Sequence, residues 1–117
     1  MRIFVLGLLS AMAFACSAAA QSVGGKYSVA GKNFDGTPYA GTVEIIPNGS
    51  TCRIVWHTGT VSEGMCMLSG KTLAAFYRLG ANFGLVVYEL RADGSLSGKW
   101  AIADKAGTGV EILIPQK

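Results

Sequence analysis

The chain has 117 residues, half of them hydrophobic and 15% charged, with ten Lys and Arg against seven Asp and Glu and a formal net charge of +3. That length allows one domain with a modest core, and so apolar a composition excludes a disordered chain. The basic residues stand singly, without the stripe or patch that nucleic-acid binding needs, so no nucleic-acid partner is expected.

The first twenty residues open with Met1-Arg2, continue through an apolar run from Ile3 to Phe14, and end in the small residues Ala15 to Ala20. A charged start, a short apolar centre and a small-residue exit read as a secretory signal peptide cleaved after Ala20. The run is shorter than the roughly 20 residues of a membrane-spanning helix, so no membrane span is expected. Residues 1–20 are thus a leader and 21–117 one domain, periplasmic or secreted. A competing reading makes Cys16 a lipidated first residue, but Phe14 departs from the small residue usual two places before such a cysteine. Removal of the leader leaves Cys52 and Cys66 in an oxidising space, where a disulfide is expected.

From there on apolar residues alternate in short runs punctuated by Gly, Asn and Asp, the pattern of half-buried strands. The first run is 25–30. The second, 39–46, sets Tyr39, Gly41, Val43 and Ile45 on one face. In the third, 51–57, Cys52, Ile54 and Trp56 oppose Arg53 and His57, and the fourth, 61–68, groups Gly64, Cys66 and Leu68. A fifth covers 72–78. The sixth, 83–91, offers Val86, Tyr88 and Leu90, and the seventh, 95–103, points Leu96, Gly98, Trp100 and Ile102 inward. The eighth, 108–114, offers Val110, Ile112 and Ile114 to the core, with Glu111 outward. Asp35-Gly36, Asn48-Gly49, Ser69-Gly70 and Asp93-Gly94 are hairpin-type turn pairs.

Eight short strands joined by tight turns make an all-β antiparallel up-and-down meander. Closure into a small barrel removes its two edges, and inward Gly41, Gly64 and Gly98 help the sheet curl. A two-layer sandwich fits the same pattern. A three-residue loop at Thr58-Gly59-Thr60 sets Cys52 directly opposite Cys66, at a β-carbon spacing of about 4.5–5.5 Å that a disulfide can close. The segments beginning at Asp35-Gly36-Thr37 and at Asp93-Gly94-Ser95 echo one another, either as a repeated hairpin unit or as two similar solutions to curling a strand.

Gly25-Lys26-Tyr27 on the first strand and Asp93-Gly94-Ser95-Leu96-Ser97-Gly98-Lys99-Trp100 on a late one resemble phrases of avidin-like and lipocalin-like barrels. The whole domain also resembles small exported bacterial proteins that carry the name fibronectin-binding. The polar set with which avidins hold biotin finds no matching positions here, so biotin binding does not follow from the resemblance.

Chemistry-bearing constellations are sparse. The one histidine, His57, falls at a hairpin tip opposite Trp56, and both thiols are expected to be oxidised, so no catalytic triad or free nucleophile is expected. Glu44, Glu63, Glu89 and Glu111 fall on outward positions or strand ends, where solvated strand faces explain them better than a glycosidase pair. Met65 and Met67 flank Cys66 and would suit Cu(I), but the remaining donors do not converge on them, so neither a metal nor a cofactor is expected.

What remains is binding. Arg53, Val55, His57, Met65 and Met67 form an outer face unusually apolar for solvent, and such a patch marks a protein or surface macromolecule as partner, in the manner of an inhibitor or an adhesin-like module. The alternative is a carrier of a small apolar ligand in a cavity lined by Tyr39, Trp56, Tyr88 and Trp100, against which stands a core simply filled by those rings. A hydrolase is the third reading. The expected protein is therefore a non-enzymatic binding barrel, with the outer face ahead of the cavity.

Overall fold

The period-two alternation becomes eight strands: β1 (Gly25–Lys32), β2 (Pro38–Asn48), β3 (Thr51–His57), β4 (Val61–Ser69), β5 (Thr72–Leu79), β6 (Asn82–Leu90), β7 (Leu96–Ile102) and β8 (Gly109–Pro115). This computed structural model describes residues 23–117; the expected leader over 1–20 and Cys16 lie outside them. Each strand pairs antiparallel with the next, and β8 returns to β1 to close the barrel. The closing register runs from Tyr27 opposite Pro115 to Lys32 opposite Val110. Closure leaves no free sheet edge, so every strand is hydrogen-bonded on both sides. The sandwich alternative is thereby set aside.

The β3–β4 hairpin has the expected register, with Cys52 opposite Cys66 and Arg53 opposite Met65. The two cysteines are bonded, their α-carbons 4.9 Å apart. The echo at Asp35 and Asp93 is one turn built twice. In both, the aspartate Oδ1 accepts from the backbone N–H and the hydroxyl two residues on: Thr37 at 3.0 and 2.7 Å, Ser95 at 2.9 and 2.6 Å. Both following glycines have φ of 87°, which side-chain-bearing residues rarely adopt. These hydroxyl and amide bonds hold both aspartate carboxyls below their usual pKa. The first turn joins β1 to β2 and the second β6 to β7, at opposite ends of the barrel, so the echo is local turn chemistry and not a repeated hairpin unit.

The inner wall has two halves. Toward the end carrying the β2–β3, β4–β5 and β6–β7 turns it is packed solid: Ile45, Ile54, Leu73, Leu96 and Leu113 are almost wholly buried beside the disulfide. Val23 is buried with this cluster, and its carbonyl accepts from the Tyr27 hydroxyl at 2.6 Å. Toward the other end the inward side chains become aromatic and polar.

The eighth strand corrects the sequence reading. Its inward residues are Gly109, Glu111 and Leu113, while Val110, Ile112 and Ile114 face out, each roughly half exposed. The pairing fixes this phase: Leu96 opposite Leu113, Gly98 opposite Glu111 and Trp100 opposite Gly109 keep all six on the inner face. Apolarity alone points the wrong way here because the outer wall carries many apolar residues.

Candidate ligand-binding cavity

Four of the inward aromatic rings lie against a glycine on the neighbouring strand. Tyr39 pairs with Gly31, Tyr77 with Gly84, Tyr88 with Gly98 and Trp100 with Gly109. A β-carbon on any of these glycines would run into the paired ring. Each ring therefore lies flat along the wall over its glycine instead of reaching across the barrel, the arrangement known from aromatic cover of strand glycines. Flat rings on opposite walls leave space between them.

That space is a cavity of about 300 Å3 whose lining includes Tyr39, Trp56, Ser62, Tyr77, Trp100 and Glu111. Asn33, Thr58 and Thr60, from the β1–β2 and β3–β4 connections, form a polar rim. The mouth thus lies at the end of the barrel opposite Val23. Phe34 leans over it, its ring centroid 4.8 Å from that of Trp100, and Tyr39 meets Trp100 edge-on at 6.2 Å. Across the cavity Trp56 and Tyr77 form a second edge-to-face pair at 5.3 Å. A wider, open groove of about 750 Å3 includes Lys32, Pro38, Val87 and Lys99 in its lining and also touches Tyr39, Tyr88 and Glu111. The aromatic cavity is the better candidate because its lining sets several aromatic rings around one carboxyl group inside the barrel.

The inner wall carries one carboxylate. Glu111 is 5% exposed. Its Oε1 accepts from the Tyr39 hydroxyl at 2.6 Å. Its Oε2 accepts from Trp56 Nε1 at 2.9 Å and from the Tyr88 hydroxyl. Trp56 Nε1 also lies 3.2 Å from the Tyr88 oxygen, so three side chains from three strands converge on one carboxyl. A buried carboxylate is tolerable only when its lone pairs are met in this way. Burial, and after it the Glu111 charge, pushes the Tyr77 hydroxyl up to about 12. The same two causes, in the same order, raise Tyr39 and Tyr88 well above the usual tyrosine value.

Of the residues that the sequence offered for a cavity, Tyr39, Trp56 and Trp100 line it, and Tyr88 lies fully buried beneath Glu111 as part of its hydrogen-bond set. The sequence reading missed Glu111, Tyr77 and Phe34. Tyr77 had a signal, since the alternation of the fifth strand carries it to the same face as Leu73 and Ala75. Glu111 had one only in the register of β8 against β7. Glu44, Glu63 and Glu89 do face out. The other candidate set sits on the outer wall as expected: Met65 and Met67 are over half exposed, His57 is exposed, and Arg53 forms an ion pair with Glu63 there.

No family model matches the chain, and no curated protein matches it either. Solved structures do share its fold. A redesigned β-barrel, mFAP1, bound to DFHBI, superposes with a TM-score of 0.70 at 21% identity, over 82% of this chain and 97% of that one. A Schistosoma mansoni fatty acid binding protein in complex with arachidonic acid gives 0.56 at 13% identity, over 84% and 98%. A fatty acid transporter, REP1-NXSQ, gives 0.56 at 14% identity, over 84% and 98%. At these identities the likeness is one of fold.

These neighbours and the hollow half of the barrel opposite Val23 correct the expected function. A protein or surface macromolecule recognised by the outer face, whether as an inhibitor or as an adhesin-like module, was expected because the rings were expected to fill the core. The rings instead wall a cavity, and the barrels of this fold described above are small-molecule binders.

Proposed function

We propose that this protein is a non-enzymatic carrier or receptor for a small, largely apolar molecule held in the aromatic half of the barrel. The observation that carries the reading is the pairing of four rings with four glycines, which keeps an interior open that those rings would otherwise fill. A flat ligand of one or two fused rings suits a cavity of about 300 Å3 between Trp56 and Tyr77 on one side and Tyr39 and Trp100 on the other. Removal of its apolar surface from water supplies the affinity, at about 25 cal/mol per Å2 before the losses of association. The ligand of the redesigned barrel, DFHBI, supports the same general class. We place the carrier in the periplasm or outside the cell, on the strength of the leader pattern in residues 1–20 and of the disulfide.

The test is calorimetric titration with 2-naphthylmethanol, a neutral ligand of two fused rings. The expected result is saturable one-to-one binding to the wild-type protein and its loss in Ser62→Trp, which fills the cavity from β4. No saturable binding to the wild type, or equal binding to Ser62→Trp, overturns the proposal.

A further inference from the structure

The interior holds one buried carboxyl group with no basic side chain beside it. Every Lys and Arg among the described residues is exposed, and the one ion pair among them, Arg53 with Glu63, is on the outer wall. Glu111 is met only by neutral donors: two hydroxyls and an indole N–H. Neutral donors satisfy lone pairs but bring no opposite charge, and in a low-dielectric interior that difference is large. The acceptor capacity is also unevenly used. Oε2 takes two donors and Oε1 takes only Tyr39, which leaves a lone pair on Oε1 free for one more donor.

The walls around this carboxylate repeat the preference. Trp56, Trp100, Tyr39 and Tyr77 all line the cavity with Glu111. Aromatic faces attract cations through the ring quadrupole, most strongly where water is excluded. A carboxylate and four aromatic rings around one cavity, with no basic side chain among them, form a receptor for an organic cation.

We propose that the cavity selects ligands carrying a protonated amine on an aromatic or alicyclic body, the ammonium group donating to Glu111 Oε1 and the body lying between the rings. This rests on the cavity reading above and names the ligand class of that site. It also excludes a class: a ligand carboxylate would face Glu111 without an intervening cation, so acids of the same shape are rejected. The protein's own net charge of +3 works against cation binding at long range, so selectivity for an amine has to originate in the cavity.

The experiment compares three probes with one ring system at pH 7: 2-naphthylmethylamine, 2-naphthylmethanol and 2-naphthoic acid, each titrated calorimetrically against the wild-type protein. An ammonium donor facing the carboxylate, where the alcohol offers only an uncharged hydroxyl, should make the amine bind about tenfold tighter than the alcohol, or more, and the acid should bind more weakly than the alcohol by a similar factor. Glu111→Gln is close in shape and removes the charge; it should abolish the amine's advantage over the alcohol. Alcohol binding with no amine preference, an acid that binds as well as the alcohol, or a folded Glu111→Gln protein that still favours the amine overturns this inference and leaves the cavity reading standing. Failure of all three probes to bind overturns both. The wild-type ranking requires no variant, so the inference can fail even where Glu111→Gln does not fold.

Discussion

At the scale of the residue, the decisive side chain is Glu111, and its neighbours should report on it before any ligand does. Tyr88 is wholly buried and its hydroxyl both donates to Glu111 and accepts from Trp56 Nε1. Tyr88→Phe keeps the ring over Gly98 and removes only that hydroxyl. It should destabilise the barrel by about 1–3 kcal/mol, because a buried acceptor loses a donor with no water to replace it. Urea denaturation measures this, and an unchanged midpoint would mean that the three-donor arrangement is not formed in solution. Alkaline pH tests the same cluster from the other side. Tyr39, Tyr77 and Tyr88 have folded-state values raised above the ordinary 10, first by burial and then by the Glu111 charge. A raised folded value means that the folded chain keeps its protons while the unfolded chain releases them, so the stabilisation is complete below pH 10 and declines as pH rises through and beyond about 12. Denaturation midpoints at pH 8 and pH 11 should differ, the latter lower, with a smaller difference in Tyr88→Phe; equal midpoints would contradict the burial of these hydroxyls. None of this was legible from Glu111 itself, a lone carboxylate between Val110 and Ile112. Single-strand alternation cannot reveal that three distant donors make the inside hospitable to it.

At the scale of the element, all eight strands were legible, because alternation and turn residues are local signals that the closed sheet leaves undisturbed. The β3–β4 register followed from two cysteines and a three-residue loop, which constrain one hairpin from both ends. The phase of β8 was not legible, since it depends on pairing with β7 and not on the strand's own apolarity. The glycine–aromatic pairs were half legible: Gly98 was read as a point of curvature, but its partner ring Tyr88 lies on the preceding strand. Two predictions belong here. Cys52→Ser with Cys66→Ser should lower stability by about 2–4 kcal/mol, the chain-entropy value for a loop of this size, and leave ligand binding intact, because the bridge lies in the packed half. Thermal unfolding with and without a reductant checks the first part, and a reductant-insensitive melting temperature would show that the bond is not formed. Gly109→Ala should do the reverse. The new methyl meets the indole of Trp100, so the ring must lift from the wall into the mouth of the cavity, shifting tryptophan emission and weakening ligand binding at a stability cost of about 1–3 kcal/mol. Unaltered emission and affinity would mean that Trp100 is not held against that glycine.

At the scale of the whole molecule, the barrel divides a packed core from a cavity along its axis. The end closed by Val23, the disulfide and the leucine and isoleucine cluster supplies the packed core, while the end bearing Trp100, Tyr39 and Trp56 forgoes packing to keep a cavity. A small domain has little stability to spare, and empty apolar volume lowers it further. The apo barrel should therefore be limited by its hollow half, and a ligand should restore what the cavity forgoes. At a free concentration of about a hundred times Kd, a one-site ligand adds roughly 2.7 kcal/mol to the unfolding free energy. Ser62→Trp offers the comparison. Its indole would occupy the space facing Trp56, so the variant should melt at or above the temperature of the empty wild type and should not respond to 2-naphthylmethylamine, whereas the wild type should rise by several degrees. The two effects must appear together, because both arise from the same 300 Å3 of space. A variant that melts well below the wild type and still responds to the amine would place the binding site elsewhere, and the division of the barrel into a packed end and a binding end would fall with it.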